Sequence, residues 1–289
     1  MVRNFVCSFV LILGLAAHAA GQDDPVITAV KHFETSYATR IGLAVYDTET
    51  NTSRHYNGDV RFPLNSTFKT LACAAVLQQI DQGEIGRDDL LTFTGADIVT
   101  YSPALEPLVS SGSISVSDTC HAAMTLSDNT AANLILEKLG GPEGLTRFLR
   151  TIGDTITRLD RYETSMNEGK PGDTRDTTTP LAMVSTLHKI LTGTVLSDGS
   201  KQQLLDWMMD NQVAGPLLRS VMPTGWRIAD RTGAGGYGSR SITALVYPPE
   251  RKPIFIAIYL TENDLPISDR NHIIAEIGRV LFKDLPQLP

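Results

Sequence analysis

The sequence predicts an α/β fold of the α+β sandwich type: an antiparallel sheet flanked by N- and C-terminal helices, with a large all-α subdomain inserted. Three observations carry this. Alternating β-branched and aromatic runs occur only near the two ends, in "RIGLAVYDTETNTSRHYN" (40–57) and after residue 225. Between about 66 and 211 the apolar spacing becomes helical, and several segments stop at a glycine. Each strand group alone is too small to be stable, so the two groups are expected to share one sheet.

The elements follow in chain order. Residues 25–37 read as a helix, and 40–57 as a hairpin turning at Thr-Glu-Thr-Asn. Helices are expected in "FKTLACAAVLQQIDQG", "NTAANLILEKLGG" and "GPEGLTRFLRTIG", stopping at Gly83, Gly140 and Gly153, and again over 179–191 and 199–209. The stretch 158–179, "RLDRYETSMNEGKPGDTRDTTT", is polar and without period, and unstructured segments of such length in compact domains are usually functional. Strands return at "GWRIAD" and in two runs separated by a Pro-Pro turn, and "DRNHIIAEIGRVLFKDL" closes the chain as an amphipathic helix. The implied division is 20–62 with 212–289 as an α/β subdomain and 63–211 as the all-α subdomain, with the active site between them.

The first 21 residues carry Arg3, an apolar run over 5–17 and a small-x-small site at Ala17-His18-Ala19. This predicts a signal peptide spanning 1–19 and a secreted, periplasmic protein. A membrane anchor is disfavoured, because the run is shorter than the ~20 residues that a bilayer needs. Removing Arg3 takes 25 basic residues to 24 against 32 acidic ones, a net charge near −8 that does not invite nucleic acid. Cys7 leaves with the leader, and Cys73 and Cys120 remain as a pair in an oxidising compartment. One disulfide is expected; the alternative is two buried thiols.

Gly233, Gly235 and Gly238 match a dinucleotide-binding spacing, but a strand rather than a helix follows them, so no pyrophosphate cradle is expected. The five mature histidines show no metal spacing, and no metal or other cofactor is expected.

Three short motifs carry chemistry. Ser66-Thr67-Phe68-Lys69 puts a hydroxyl and an amine one helical turn apart at a helix N-terminus. Ser127-Asp128-Asn129 precedes a helical run, and by itself reads as an N-cap cluster. Arg231-Thr232-Gly233 ends a strand, where a cation and a hydroxyl could hold a carboxylate. Each alone is a weak signal. Together, in this order, they resemble the class A serine β-lactamases, which carry Ser-x-x-Lys, Ser-Asp-Asn and Lys-Thr-Gly.

The resemblance extends over about 25–281, including the two cysteines and the loop, where "RYETSMN" puts Glu163 and Asn167 at the family's hydrolytic Glu and Asn. Arg161 and Asp176 stand at the family's loop-closing ion pair, and Tyr101 at its wall tyrosine. One departure is Arg231, where most of the family has Lys; Arg here followed by "GAGGYGSRS" resembles the carbenicillin-hydrolysing group. Arginine keeps the charge but cannot give up its proton, which puts any proton-relay role of that cation in doubt.

The resemblance implies hydrolysis of penicillins and some cephalosporins through a Ser66 acyl-enzyme by a monomeric enzyme, and hence resistance to β-lactam antibiotics. It assigns the oxyanion hole to the N–H groups of Ser66 and Ala234 and leaving-group protonation to Ser127. Asn129 takes the substrate amide. Arg231, Thr232, Gly233 and Arg240 form the carboxylate site, with Gly233, Gly235 and Gly236 leaving the backbone open to a substrate. Either Lys69 or Glu163 is the acylation base. A penicillin-binding D,D-peptidase and a non-catalytic β-lactam sensor share the three motifs; Glu163 with Asn167, and a cleavable leader without a later span, argue against them.

Overall fold

The computed structural model describes residues 24–285; the signal peptide expected at 1–19 lies outside them. In chain order the helices and strands are α1 Pro25–Ser36, β1 Arg40–Asp47, β2 Thr52–Tyr56, β3 Phe62–Pro63, α2 Phe68–Asp81, β4 Leu90–Thr92, β5 Ser113–Ser115, α3 Val116–Thr125, α4 Asn129–Lys138, α5 Pro142–Thr151, β6 Thr177–Thr178, α6 Pro180–Thr192, α7 Asp198–Met209, β7 Arg227–Ala234, β8 Arg240–Tyr247, β9 Ile254–Thr261 and α8 Ile267–Asp284.

Five strands form one sheet in the order β2-β1-β9-β8-β7, every neighbouring pair antiparallel. The two ends of the chain thus meet where β1 pairs with β9, Arg40 opposite Thr261 and Asp47 opposite Ile254. Strand β9 is buried along its whole length, and its side chains divide with period two. Ile254, Ile256, Ile258 and Leu260 enter the core under α1 and α8, beside Val26, Ile273 and Ile277. Phe255, Ala257 and Tyr259 enter the opposite core with Met183 and Leu187 of α6 and Leu71 of α2. A strand between two apolar layers reads as an unbroken apolar run, and "IFIAIYL" is one.

Helix α2 is the axis of the second layer. Its residues from Phe68 to Leu77 are all buried, Lys69 included, because helices, sheet and loops enclose it on every side. Caps define the helices around it: Asp24 accepts from Val26 N at 2.8 Å, Thr179 from Ala182 N at 3.2 Å ahead of Pro180, and Ser197 from Ser200 N at 3.2 Å. A disulfide joins Cys73 of α2 to Cys120 of α3, with Cα atoms 5.7 Å apart.

The inserted region is not purely helical. Strands β4 and β5 pair with each other, and β6 of the loop pairs with β3. These pairs are two or three residues long, too short to show an alternating pattern. Helix α3, "VSDTCHAAMT", is a further addition to the sequence reading; its small and polar residues give little apolar period, and Ser115 caps it by accepting from Asp118 N at 3.0 Å. Among the described residues no helix is long and apolar enough to cross a membrane.

Candidate active site

Edge strand β7 faces the helical layer and packs against α7 and the single 3₁₀ turn Asn65–Thr67 that opens into α2. A cavity of about 280 Å³ lies along this seam, lined by Ser66, Tyr101, Ser127, Asn129, Asn167, Val213, Thr232, Gly233, Ala234 and Arg240. A larger cavity of about 500 Å³, lined by Asp81, Ser197 and Lys201 among others, has one serine hydroxyl but no buried lysine beside it as Ser66 has in Lys69.

Ser66 is carried on the 3₁₀ turn and accepts from Ser127 Oγ at 3.3 Å. Lys69, one turn further, is 1% exposed. Its ammonium donates to Ser127 O at 2.8 Å and Asn129 Oδ1 at 2.7 Å, and pairs with Glu163 Oε1 at 3.3 Å. A third, longer hydrogen bond goes to Ser127 Oγ at 3.4 Å, so three acceptors match the three N–H donors of a protonated amine, with Glu163 a charge contact beside them. Burial lowers the Lys69 pKa to about 8; Glu163 opposes that shift and Arg231 adds to it.

Asp128 separates the two pocket residues of the second motif and is itself structural. It caps α4 by accepting from Ala131 N at 2.8 Å, and it holds Ala104 N and Leu105 N at 2.9 and 3.0 Å. The motif therefore combines an N-cap with two residues on the cavity. Asn129 Nδ2 donates to Thr100 O at 2.8 Å, which ties the turn carrying Tyr101 to α4.

Glu163 and Asn167 come from the loop before α6. Asn167 Nδ2 donates to Glu163 Oε2. The loop is braced by Arg161 Nε on Asp176 Oδ2 at 2.6 Å, while Asp176 Oδ1 accepts from Asp160 N and Arg161 N at 2.7 and 2.9 Å. Asn133 of α4 brackets the Glu163 backbone, accepting from its N–H at 2.9 Å and donating to its carbonyl at 3.0 Å.

Two expectations need correction. Arg231 does not border the cavity. Its side chain is fully buried, with Nη2 donating to Ser127 Oγ and with Nε and Nη1 unpartnered. Burial, with Arg240 nearby, lowers its pKa to about 10, so it remains cationic at neutral pH. The cation on the cavity wall is Arg240, oriented by Asn271 Oδ1 at 2.7 Å and Gly233 O at 3.0 Å, and lowered to about 10 by burial and by Arg270.

The glycines are the second correction. A Cβ on Gly235 would stand 2.3 Å from Asn65 Nδ2 and 2.6 Å from Asn167 O, and one on Gly236 2.3 Å from Glu168 O. These two clear space for the turn and the loop, not for a substrate. Gly233 does line the cavity, and it also lies against Asn65 and Ser66.

The sequence reading missed Val213 on the cavity wall and the asparagines 65, 133 and 271 that orient the named residues. No motif marks such residues, because their roles depend on partners distant in sequence. Among the described residues no group of three or more His, Cys, Asp or Glu is placed to hold a metal.

Comparison with known proteins gives a consistent result. Residues 25–285 match the model of the β-lactamase enzyme family. The chain is 49% identical over 280 residues to β-lactamase CARB-3 of Pseudomonas aeruginosa, covering 96% of this chain and 97% of that protein. It is 53% identical over 253 residues to CARB-4 of the same organism, covering 88% of each. The crystal structure of the chromosome-encoded β-lactamase of Vibrio parahaemolyticus superposes with a TM-score of 0.89 at 46% identity, over 91% of this chain and 100% of that one. An ancestral class A β-lactamase gives 0.87 at 47% identity, over 89% and 99%.

Proposed function

The chain belongs to the β-lactamase enzyme family and is a class A β-lactamase; from that premise we propose how its residues divide the hydrolysis of penicillins between acylation and deacylation. The observation that carries the reading is that Ser66, Ser127 and Asn167 line one cavity while the buried Lys69–Glu163 pair stands behind them, Lys69 bonded to Ser127 and Glu163 to Asn167.

In acylation Ser66 Oγ attacks the lactam carbonyl carbon and its proton passes to a base. Lys69 already donates to three acceptors, Ser127 O, Ser127 Oγ and Asn129 Oδ1, which supports its acting as an ammonium and Glu163 as the base, through a water. The N–H groups of Ser66 and Ala234 stabilise the developing oxyanion, each donor being worth roughly 3–4 kcal/mol. The C–N bond then breaks. Ser127 protonates the departing nitrogen, supported by its contacts with Ser66 Oγ and with the cations Lys69 and Arg231.

Arg240 and Thr232 hold the substrate carboxylate at the cavity wall, Asn129 and the backbone about Gly233 position its amide, and Tyr101 bounds it. Arg231 contributes its charge from behind Ser127. With that cation, and its resemblance to the carbenicillin-hydrolysing group, the substrate range includes carbenicillin and some cephalosporins. Deacylation uses a water activated by Glu163 and oriented by Asn167. The protein acts as a monomer in the periplasm, its site between the sheet subdomain (20–62 and 212–289) and the helical one (63–211).

The test is Glu163→Ala. Mass spectrometry after mixing with a penicillin should find the drug covalently held on Ser66, with acylation slowed and hydrolysis nearly abolished. Steady-state hydrolysis at the wild-type rate would remove Glu163 from its assigned role.

A further inference from the structure

Asn65 immediately precedes the nucleophile and does not line the cavity. It is fully buried and its backbone has φ of +42°, a region that Asn tolerates better than most residues. Its Nδ2 donates to Asn167 Oδ1 at 3.3 Å. A Cβ on Gly233 would lie 2.8 Å from Asn65 Cβ, and one on Gly235 2.3 Å from its Nδ2, so strand β7 and the segment after it leave room for this amide.

The orientation of each group in the chain is forced. An ionised Glu163 carboxylate can only accept, so Asn167 must turn its NH₂ toward Glu163. The Asn167 oxygen then faces Asn65, which must present its own NH₂. That leaves Asn65 Oδ1 without a hydrogen-bond partner at one end of the series, as Glu163 Oε1 is at the other. The amide oxygen of Asn167 has two lone pairs; Asn65 takes one, and the other stays free toward the cavity that Asn167 lines.

We propose that Asn65 is a positioning residue for deacylation, fixing the rotation of the Asn167 amide so that Asn167 and Glu163 together orient the attacking water. The inference rests on the deacylating roles given above to Glu163 and Asn167. In the step concerned, the water oxygen bonds to the acyl carbonyl carbon as its proton passes to Glu163. Collapse then breaks the bond from that carbon to Ser66 Oγ, and the proton returns to Ser66. Asn65 touches none of the reacting atoms. Without it, the Asn167 amide is anchored at one end only and swings about its contact with Glu163.

The variant Asn65→Gly removes the amide and tolerates the positive φ. Loss of one neutral hydrogen bond predicts a fall in kcat of about five- to tenfold. Because only deacylation slows, KM for benzylpenicillin should fall by the same factor, kcat/KM should stay within about twofold, and acylated Ser66 should accumulate at steady state. In an Asn167→Ala background the same substitution should have no further effect on kcat.

A fall in kcat/KM with kcat retained would place Asn65 in support of acylation and overturn the proposal, as would additive effects in the double variant. Glu163→Ala run alongside separates the two levels. An adduct in Glu163→Ala but not in Asn65→Gly removes Asn65 alone; an adduct in neither removes the deacylation reading and this inference with it.

Discussion

The sharpest chemistry lies in the charge on Lys69. Its amine is enclosed, and burial lowers its pKa to about 8 against the ordinary 10.5, yet all three of its donors have acceptors, Ser127 O, Ser127 Oγ and Asn129 Oδ1. An ammonium in this geometry holds Ser127 and Asn129 in place and balances Glu163. Deprotonation withdraws those contacts, so kcat/KM for a penicillin should fall as pH rises through about 8, and a pH–rate profile measures it. A rise through the same interval would instead make the neutral amine the acylation base. Stability follows the opposite sign: between pH 8 and 10.5 the unfolded chain holds the lysine proton while the folded one does not. The destabilising contribution of this buried charge is therefore full below pH 8 and is relieved as pH rises toward 10.5. None of this was visible in Ser66-x-x-Lys69 itself, which specifies one helical turn of spacing but not the three acceptors, which come from residues 58 or more positions away.

At the scale of elements, the long segment 158–179 is the part whose position depends least on its own sequence. It has no apolar period; the structure holds it by point contacts. Arg161 and Asp176 close it, Gly236 N donates to Asn167 O at 2.8 Å from the sheet side, and Asn133 brackets Glu163 from the helix side. Polar, aperiodic composition brought out the loop and the family resemblance its Glu163, while Asn133 looked like any residue of "NTAANLILEK". Replacing it with alanine leaves a buried backbone N–H and C=O of Glu163 without partners, at about 1–3 kcal/mol for each such group. Asn133→Ala should therefore speed amide hydrogen exchange across 161–168 while leaving β9 as protected as in the wild type. Equal acceleration in β9 would mean that Asn133 supports the whole fold rather than the loop.

Over the whole molecule, the order of the elements was legible because it rests on pattern. The apolar and β-branched runs of β1, β8 and β9 and the glycine-terminated helices come from residues that report their own burial. Pairs such as β3 with β6, and the capped but weakly periodic α3, depend on partners and were not. The disulfide spans that division, since parity and compartment suggested it while only the fold brings Cys73 of α2 within 5.7 Å of Cys120 of α3, Cα to Cα. It lies inside the helical layer and closes a 47-residue separation, whereas the contacts that assemble the site come from β7, α4 and the loop. The bond is thus expected to limit the unfolded chain more than to shape the cavity, with a chain-entropy contribution of roughly 4 kcal/mol. The double variant Cys73→Ala/Cys120→Ala should lose stability in urea by up to about that amount and keep kcat/KM within about twofold. A collapse of kcat/KM at a temperature where the variant is fully folded would show instead that the bond positions α2, and with it Ser66 and Lys69. Thiol titration of the unfolded, unreduced wild type, which should find no free thiol, establishes that the comparison removes a bond rather than two buried thiols.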